Sequence, residues 1–294
     1  MKVNNFINKT MMDIFFILAK EIKDIETDEI IEFQIEDNNI DYKAWIDLSH
    51  MLYCKMLTPK IDEKDTSLIM RFKKLNTTQS FHNDNLDVES KYGVSSTFAT
   101  IDKNNQPAFL VHYLKALENV KLDTRIKVLN LGVNSGEEFE VLKKYSKNFE
   151  NLELVGIDYC SSAIEEAKKN FDDKNVSFLV GDINDLEPLN LGTFDLIISI
   201  GTLQSTNLDF NKVFMNIVQN YLKPDGAMIL GFPNCRWIDG EMIYGGMVKN
   251  YNFSELSLLF KDVNYCKKYL QQKKFRVTIT GKDYIFMTAT SIRK

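Results

Sequence analysis

Ile126-Lys127-Val128-Leu129-Asn130-Leu131-Gly132-Val133-Asn134-Ser135-Gly136 is the stretch on which the fold turns. Residues 126–131 are a short apolar run with the length and composition of a buried strand. The glycines that follow allow a tight turn into a helix and a close backbone approach to a ligand. Helical spacing resumes over Glu137–Tyr145, with Glu137 and Glu138 in its first turn, where carboxylates suit the helix dipole. The next strand, Leu152–Ile157, runs into Asp158. An acid roughly 20 residues beyond a glycine turn can accept hydrogen bonds from both hydroxyls of a ribose. The competing role for Asp158 is to cap the helix after that strand.

The type of nucleoside follows from charge. A dinucleotide fingerprint needs G-x-G-x-x-G, and the three positions here are Gly132, Asn134 and Glu137. Glu137 and Glu138 would repel a pyrophosphate seated on the turn. S-adenosylmethionine (SAM) carries no phosphate and bears a sulfonium cation, so acids beside the turn suit it. A nicotinamide-dependent reductase is disfavoured on the same ground.

Outward from this stretch, strand and helix patterns alternate. Strands are expected at 176–180, 194–200 and 227–231, and helices at 107–120, 161–170 and 209–222. Such alternation implies a parallel sheet covered on both faces. After a helix over 254–272, Phe275–Ile279 and Tyr284–Ala289 are separated only by a short turn around Gly281. That spacing forces an antiparallel hairpin, because a parallel return needs a crossover. The expected fold is therefore α/β: a Rossmann-like, seven-stranded, mostly parallel sheet ending in an antiparallel C-terminal hairpin.

The first ~100 residues read differently, as a smaller α+β region. Helical spacing occupies Met1–Asp24 and Tyr42–Leu57, the latter stopping before Pro59, and strands are expected at 29–36 and 67–75. Thr77–Thr100 has few apolar anchors and reads as a long loop of functional rather than purely structural character. The expected division is residues 1–100 as an accessory or substrate-recognition region with a lid-like loop, and 101–294 as the catalytic domain.

From about Pro107 to Thr290 the chain resembles the class I SAM-dependent methyltransferases. The family's first motif is similar to Val128–Gly136, its ribose acid to Asp158 in Val155-Gly156-Ile157-Asp158, and its adenine-contacting position to Asp182 in Val180-Gly181-Asp182-Ile183. Its fourth-strand motif is similar to Phe194–Ser199, and Leu222-Lys223-Pro224-Asp225-Gly226 matches the turn before strand five. The resemblance implies SAM as cofactor, held by Asn130, Gly132, Val133, Asn134, Gly136, Asp158, Tyr159, Asp182, Ile183, Ile200 and Gly201. Two positions depart from the pattern. Asn130 stands where the family usually has Asp, and Asn134 where it usually has Gly; Asn tolerates the left-handed backbone better than most residues. Asp182 has the alternative role of capping its own turn.

Beyond the cofactor, Phe232-Pro233-Asn234-Cys235-Arg236-Trp237 follows strand five, beside the expected acceptor site. Asn234, Arg236 and Trp237 are candidate substrate residues: Arg236 for an acidic or phosphorylated acceptor, Trp237 for stacking. Against this, Arg236 can pair with a loop acid and Trp237 can be core. Cys235 as a nucleophile lacks an activating partner in the sequence. His82, Tyr92, Lys103 and His112 fall in or near the lid-like loop and the helix after it. No catalytic base declares itself.

The bulk properties bound the partners. The chain has 294 residues, 44% of them apolar, and a net charge of −5; its pI is about 5.4. A grip on nucleic acid usually requires a basic face. Arg71–Lys74, Lys267-Lys268 and Lys273-Lys274 are the candidates, with solvated surface as the simpler reading. Nucleic acid is thus possible but not indicated. The four scattered cysteines and three dispersed histidines show no metal spacing. The longest apolar run, Ile14–Ala19, is too short for a membrane span of roughly 20 residues, and no secretory signal is visible; a cytoplasmic location is expected. The expected activity is SAM-dependent methyl transfer by direct displacement to an unidentified acceptor, a small molecule or conjugate. The alternatives are an RNA methyltransferase and a non-catalytic SAM-binding protein.

Overall fold

The computed structural model describes residues 4–36, 41–62, 67–78, 91–205, 208–246 and 256–293. The chain divides into two compact units: 1–80 together with Trp237–Ile243, and 81–236 together with 244–294.

The first unit is a four-stranded sheet with two helices. In chain order it contains β1 (Asn4–Asn5), α1 (Met11–Glu21), β2 (Ile30–Ile35), α2 (Tyr42–Met51), β3 (Cys54–Ile61) and β4 (Leu68–Lys74), with strand order β1-β2-β4-β3. Thr10 starts α1 through a reciprocal capping box with Asp13. Strands β2 and β4 alternate strictly, placing Ile31, Phe33, Ile35, Leu68, Met70 and Phe72 in one core with Leu18 and Trp45. The opposite face carries neutralised charges. Glu32 holds both Lys60 and Arg71, and Lys73 pairs with Asp28. In the basic run Arg71–Lys74, Arg71 is thus tied to Glu32 of β2, Lys73 to Asp28 in the turn before it, and Lys74 to the Leu52 carbonyl.

Helix α2 ends six residues before the expected Leu57. Tyr53 takes a left-handed conformation (φ 53°), and the chain returns as β3. Pro59 sits inside β3 without breaking the sheet, because β3 is an edge strand whose register shifts between Leu57 and Lys60. The helical spacing of Trp45 and Leu48 ran on through Leu52 and Met56 by coincidence of period.

Trp237–Ile243 completes this unit from far downstream. Ile238 and Ile243 pack with Leu75 and Tyr53, and Asp239 accepts the Asn76 N–H (3.1 Å). Glu241 sits between Lys55 (2.8 Å) and His50 (3.4 Å). Burial pushes the Glu241 carboxyl up, but the His50 and Lys55 contacts outweigh it and hold it below its ordinary 4.5. A depressed folded-state pKa stabilises above the unfolded value and is lost as pH falls through the folded one. Glu241→Gln should therefore lower stability by about 1 kcal/mol at pH 7 and by progressively less below about pH 4.5, as read by acid-titrated thermal melts.

The second unit contains α3 (Pro107–Asn119), β5 (Lys127–Leu131), α4 (Glu137–Tyr145), β6 (Glu153–Asp158), α5 (Ser161–Asn170), β7 (Val176–Val180), β8 (Phe194–Ile200), α6 (Phe210–Asn216, extended by one π turn to Tyr221), and β9 (Leu222–Pro233). It closes with α7 (Ser257–Gln272), β12 (Phe275–Gly281) and β13 (Tyr284–Ser291). The seven strands lie in the order β12-β13-β9-β8-β5-β6-β7. β7, β6, β5, β8 and β9 are parallel, and β13 runs antiparallel to both β9 and β12. The expected α/β, Rossmann-like sheet with its C-terminal hairpin is what the chain forms. One element was not anticipated: a short ribbon, β10 (Cys235–Ile238) with β11 (Glu241–Tyr244), grows from the end of β9. No described helix is long and apolar enough to cross a membrane.

From β5 the chain winds outward through β6 and β7, then returns to β8 on the other side of β5. The strand order reverses between β5 and β8. In open α/β sheets ligands bind at such a switch point, outside the carboxyl ends of the strands. Here that end carries Gly132 after β5, Asp158 at the end of β6, and Gly201 after β8.

Candidate cofactor site

The turn after β5 is built from left-handed residues. Gly132 (φ 75°), Asn134 (φ 47°) and Gly136 (φ 99°) all have positive φ. The N–H groups of Gly132 and Val133 both donate to the Ile157 carbonyl, at 2.8 and 3.1 Å, which folds the turn over the end of β6. Asn134 bears the strain of its position through its side chain: Nδ2 donates to Glu137 Oε1 at 2.8 Å. The glycines are demanded by protein neighbours as well as by φ. A Cβ on Gly132 would fall 2.0 Å from Thr202 Oγ1, and one on Gly136 would meet the Phe171 ring at 2.7 Å. Gly132→Ala should thus cost about 2 kcal/mol or more, from left-handed strain plus the collision with Thr202, as measured by denaturant unfolding.

Asp158 is held in place by the backbone. Its Oδ2 accepts the Asn134 N–H (2.9 Å) and its Oδ1 accepts the Cys160 N–H (3.0 Å). Burial pushes this carboxyl up; the N–H groups of Cys160, Asn134 and Tyr159 pull against it, and the Glu138 charge adds to the rise. Asp158 thus has the capping role, on the turn before α5, and also ties the glycine turn to β6. Tyr159 next to it is exposed. Asp182 is exposed and uses Oδ1 to accept the backbone N–H (2.8 Å) and the side-chain amide (3.0 Å) of Asn184, a cap of its own turn. Ile183 and Ile200 are buried.

Behind the turn lies a buried polar group that sequence reading did not find. Asn130, on β5, is fully buried, and its Nδ2 donates to Glu138 Oε2 at 3.3 Å. Glu138 Oε1 accepts from Lys103 Nζ at 2.8 Å. Glu138 is 1% exposed and Lys103 8%. Burial works to lower the Lys103 pKa, but the charges of Glu138 and Glu137 prevail and raise it. Burial also raises Glu137, with Lys103 opposing, and raises the hydroxyl of Tyr113, aided by the Glu138 charge. Asn104 fastens the same segment, donating to the Glu137 carbonyl at 3.0 Å. Lys103 lies 35 residues from Glu138, so no local pattern reveals the pair.

The remaining candidates scatter. Asn234 braces the end of β9, its N–H donating to the Asp283 carbonyl (2.8 Å) and its amide to the Lys282 carbonyl (3.1 Å). Arg236 is buried in the second unit, whereas Trp237 belongs to the first. Cys235 is buried, and burial together with the Asp283 charge pushes its thiol up to about 12, away from the thiolate form a nucleophile needs. His82 lies outside the described residues. Among the described residues no cluster of His, Cys, Asp and Glu could hold a metal.

The profile of the methyltransferase domain family matches residues 122–279, more than half of the chain. This chain belongs to that family. The matched stretch, residues 122–279, is a methyltransferase domain. A malonyl-[acyl-carrier protein] O-methyltransferase of Bacillus anthracis is 33% identical over 107 residues, which are 36% of this chain and 37% of that enzyme. The match thus spans little more than a third of that relative. Among solved structures, a TehB-like SAM-dependent methyltransferase of Corynebacterium glutamicum is 18% identical, with a TM-score of 0.41 over 61% of this chain and 86% of its own. A precorrin-6y C5,15-methyltransferase of Geobacter metallireducens is 12% identical, with a TM-score of 0.43 over 61% and 87%.

The residues at this turn fit the SAM that the sequence resemblance implies. Glu137, Glu138 and Asp158 place three carboxyl groups at the turn beside Lys103, acceptors suited to an ammonium. Two buried acceptors there, Asn130 Oδ1 and Glu137 Oε2, have no donor among the described residues.

Proposed function

We propose that the cofactor lies across the carboxyl ends of β5, β6 and β8, with its ribose on Asp158 and its adenine beside Tyr159, Asp182 and Ile183. In this reading the methionine end faces Asn130, Gly132 and the Ile200–Gly201 turn, with Val133, Asn134 and Gly136 shaping the floor. The observation that carries it is the Asp158 carboxylate, fixed by backbone N–H groups at the mouth of the switch point. A carboxylate has about four acceptor sites, more than these N–H groups occupy, which leaves room for a ribose hydroxyl. SAM supplies a methyl group already activated by its positive sulfur. What the chain must add is alignment of the acceptor with the breaking bond and exclusion of water.

For the acceptor we propose a small molecule or a carrier-bound conjugate bearing an acidic group. The similarity to an enzyme named for malonyl-carrier methylation supports that class. A carboxylate acceptor enters ionised, so it needs orientation rather than a base. Arg236, in β10 just beyond β9, has the charge to orient it. An RNA acceptor has less support, because Lys60, Arg71 and Lys73 of the first unit are paired with Glu32 and Asp28. The discriminating experiment is incubation with methyl-labelled SAM and fractionated lysate, followed by mass spectrometry. Label in acidic metabolites or carrier-protein fractions is the expected result. Label in ribonuclease-sensitive material would overturn the acceptor class.

A further inference from the structure

At the end of the first strand, where the family resemblance places an acid, this chain has Asn130. The structure puts a carboxylate there by another route. Asn130 Nδ2 reaches Glu138 Oε2, and Lys103 holds the other Glu138 oxygen. We propose that the acid of the cofactor site has moved from the strand to the first turn of α4: Glu138 receives the α-ammonium of the cofactor's methionine end, and Asn130 orients Glu138 and offers its own carbonyl oxygen to the same ammonium. Lys103 is a positioning residue that holds Glu138 in place. This rests on the SAM-site reading above and adds residues to it.

Three observations support the assignment. The first is charge. Among the described residues Lys103 is the one cation paired with these acids, at 2.8 Å from Glu138, and burial pushes the neighbouring Glu137 carboxyl up, so a second cation would be welcome in this corner. The second is hydrogen bonding. Asn130 Oδ1 is fully buried beside Glu138 and has no donor among the described residues; natural proteins rarely leave such an atom unmet unless something else supplies it. Tyr113, fully buried, likewise has a hydroxyl that meets no partner among the described residues, within reach of the Glu138 charge. The third is compatibility. With Glu138 in contact, an aspartate at 130 would set two buried carboxylates against each other, and only one could ionise. A neutral donor is what position 130 requires. Asn130 therefore reads as the partner of a relocated acid rather than as a lost one.

The test uses calorimetry with two probes on the full chain. S-adenosylhomocysteine carries the amino-acid end; 5′-methylthioadenosine is the same nucleoside thioether without it. Glu138→Gln should weaken S-adenosylhomocysteine by about tenfold or more while leaving 5′-methylthioadenosine within about threefold, as expected for loss of a charged hydrogen bond to the missing end. Asn130→Asp, although it restores the family's usual residue, should weaken S-adenosylhomocysteine by about fivefold or more. The swap Asn130→Asp with Glu138→Gln restores one carboxylate and one amide, and should return affinity to within about threefold of the parent. Binding of 5′-methylthioadenosine reports that each variant retains its pocket. The proposal is overturned if Asn130→Asp binds S-adenosylhomocysteine as well as the parent, or if Glu138→Gln weakens both probes equally. If neither probe binds the parent, the SAM-site reading itself falls. Loss of both probes in Asp158→Ala, with the pattern above absent at 130 and 138, would leave that reading standing and sink only this one.

Discussion

Lys103→Met should destabilise the methyltransferase unit by about 3–5 kcal/mol, because it strands the Glu138 carboxylate in the interior. Glu138 would keep one amide donor, from Asn130, and no counter-ion at 2.8 Å. For a unit of this size the melting temperature should fall by roughly 10 °C, given about 2–4 °C per kcal/mol. Combining Lys103→Met with Glu138→Leu should recover much of the stability, since a buried ion pair replaced by apolar groups of similar size is often neutral or better. Calorimetric melts of the single and double variants decide the matter. An unchanged melting temperature in Lys103→Met would show that the pair carries no structural weight.

Asp158→Ala is expected to weaken S-adenosylhomocysteine by about 1.5–3 kcal/mol, or roughly 10- to 150-fold, the scale of hydrogen bonds to a charged group. The same change frees the Asn134 and Cys160 N–H groups. The left-handed turn at Asn134 then loses its tie to β6, so a modest fall in stability should accompany the loss of affinity. Asp158→Asn keeps one acceptor oxygen and should fall between. Isothermal titration of the three proteins checks the order, and an alanine variant of undiminished affinity would remove Asp158 from the pocket.

The catalytic sheet was legible because its strands are short apolar runs separated by helical periods, and because the last two runs are too close for a crossover. All seven pair as those spacings demand. The N-terminal unit was harder. Leu52 and Met56 fit a helical period and an edge strand equally well, and only the left-handed Tyr53 separates the two. The β10–β11 ribbon left a signal that went unread. Asp239-Gly240 joins two apolar runs, and both residues have positive φ (51° and 73°), the demand of a two-residue hairpin turn. Within the candidate site, Asp158 and the glycine turn announce themselves by register along the chain. Glu138 was visible as a first-turn acid that suits a cationic ligand, but its buried ion pair was not, because the Lys103 that holds it comes from before α3. Contacts of that kind depend on which helix covers which face, and no sequence period encodes them.

The attachment of Trp237–Ile243 to the first unit has a consequence for biosynthesis. That unit's own first stretch is complete at residue 80, yet Ile238, Ile243 and the Asp239 carboxylate arrive about 160 residues later. At translation speeds of about 5–20 residues per second, the nascent N-terminus waits roughly 8–30 s with Leu75 uncovered and the Asn76 N–H unmet. The chain's beginning thus reaches its final form only after most of its catalytic sheet has left the ribosome, and a stall in that interval would expose a half-finished surface to chaperones and proteases.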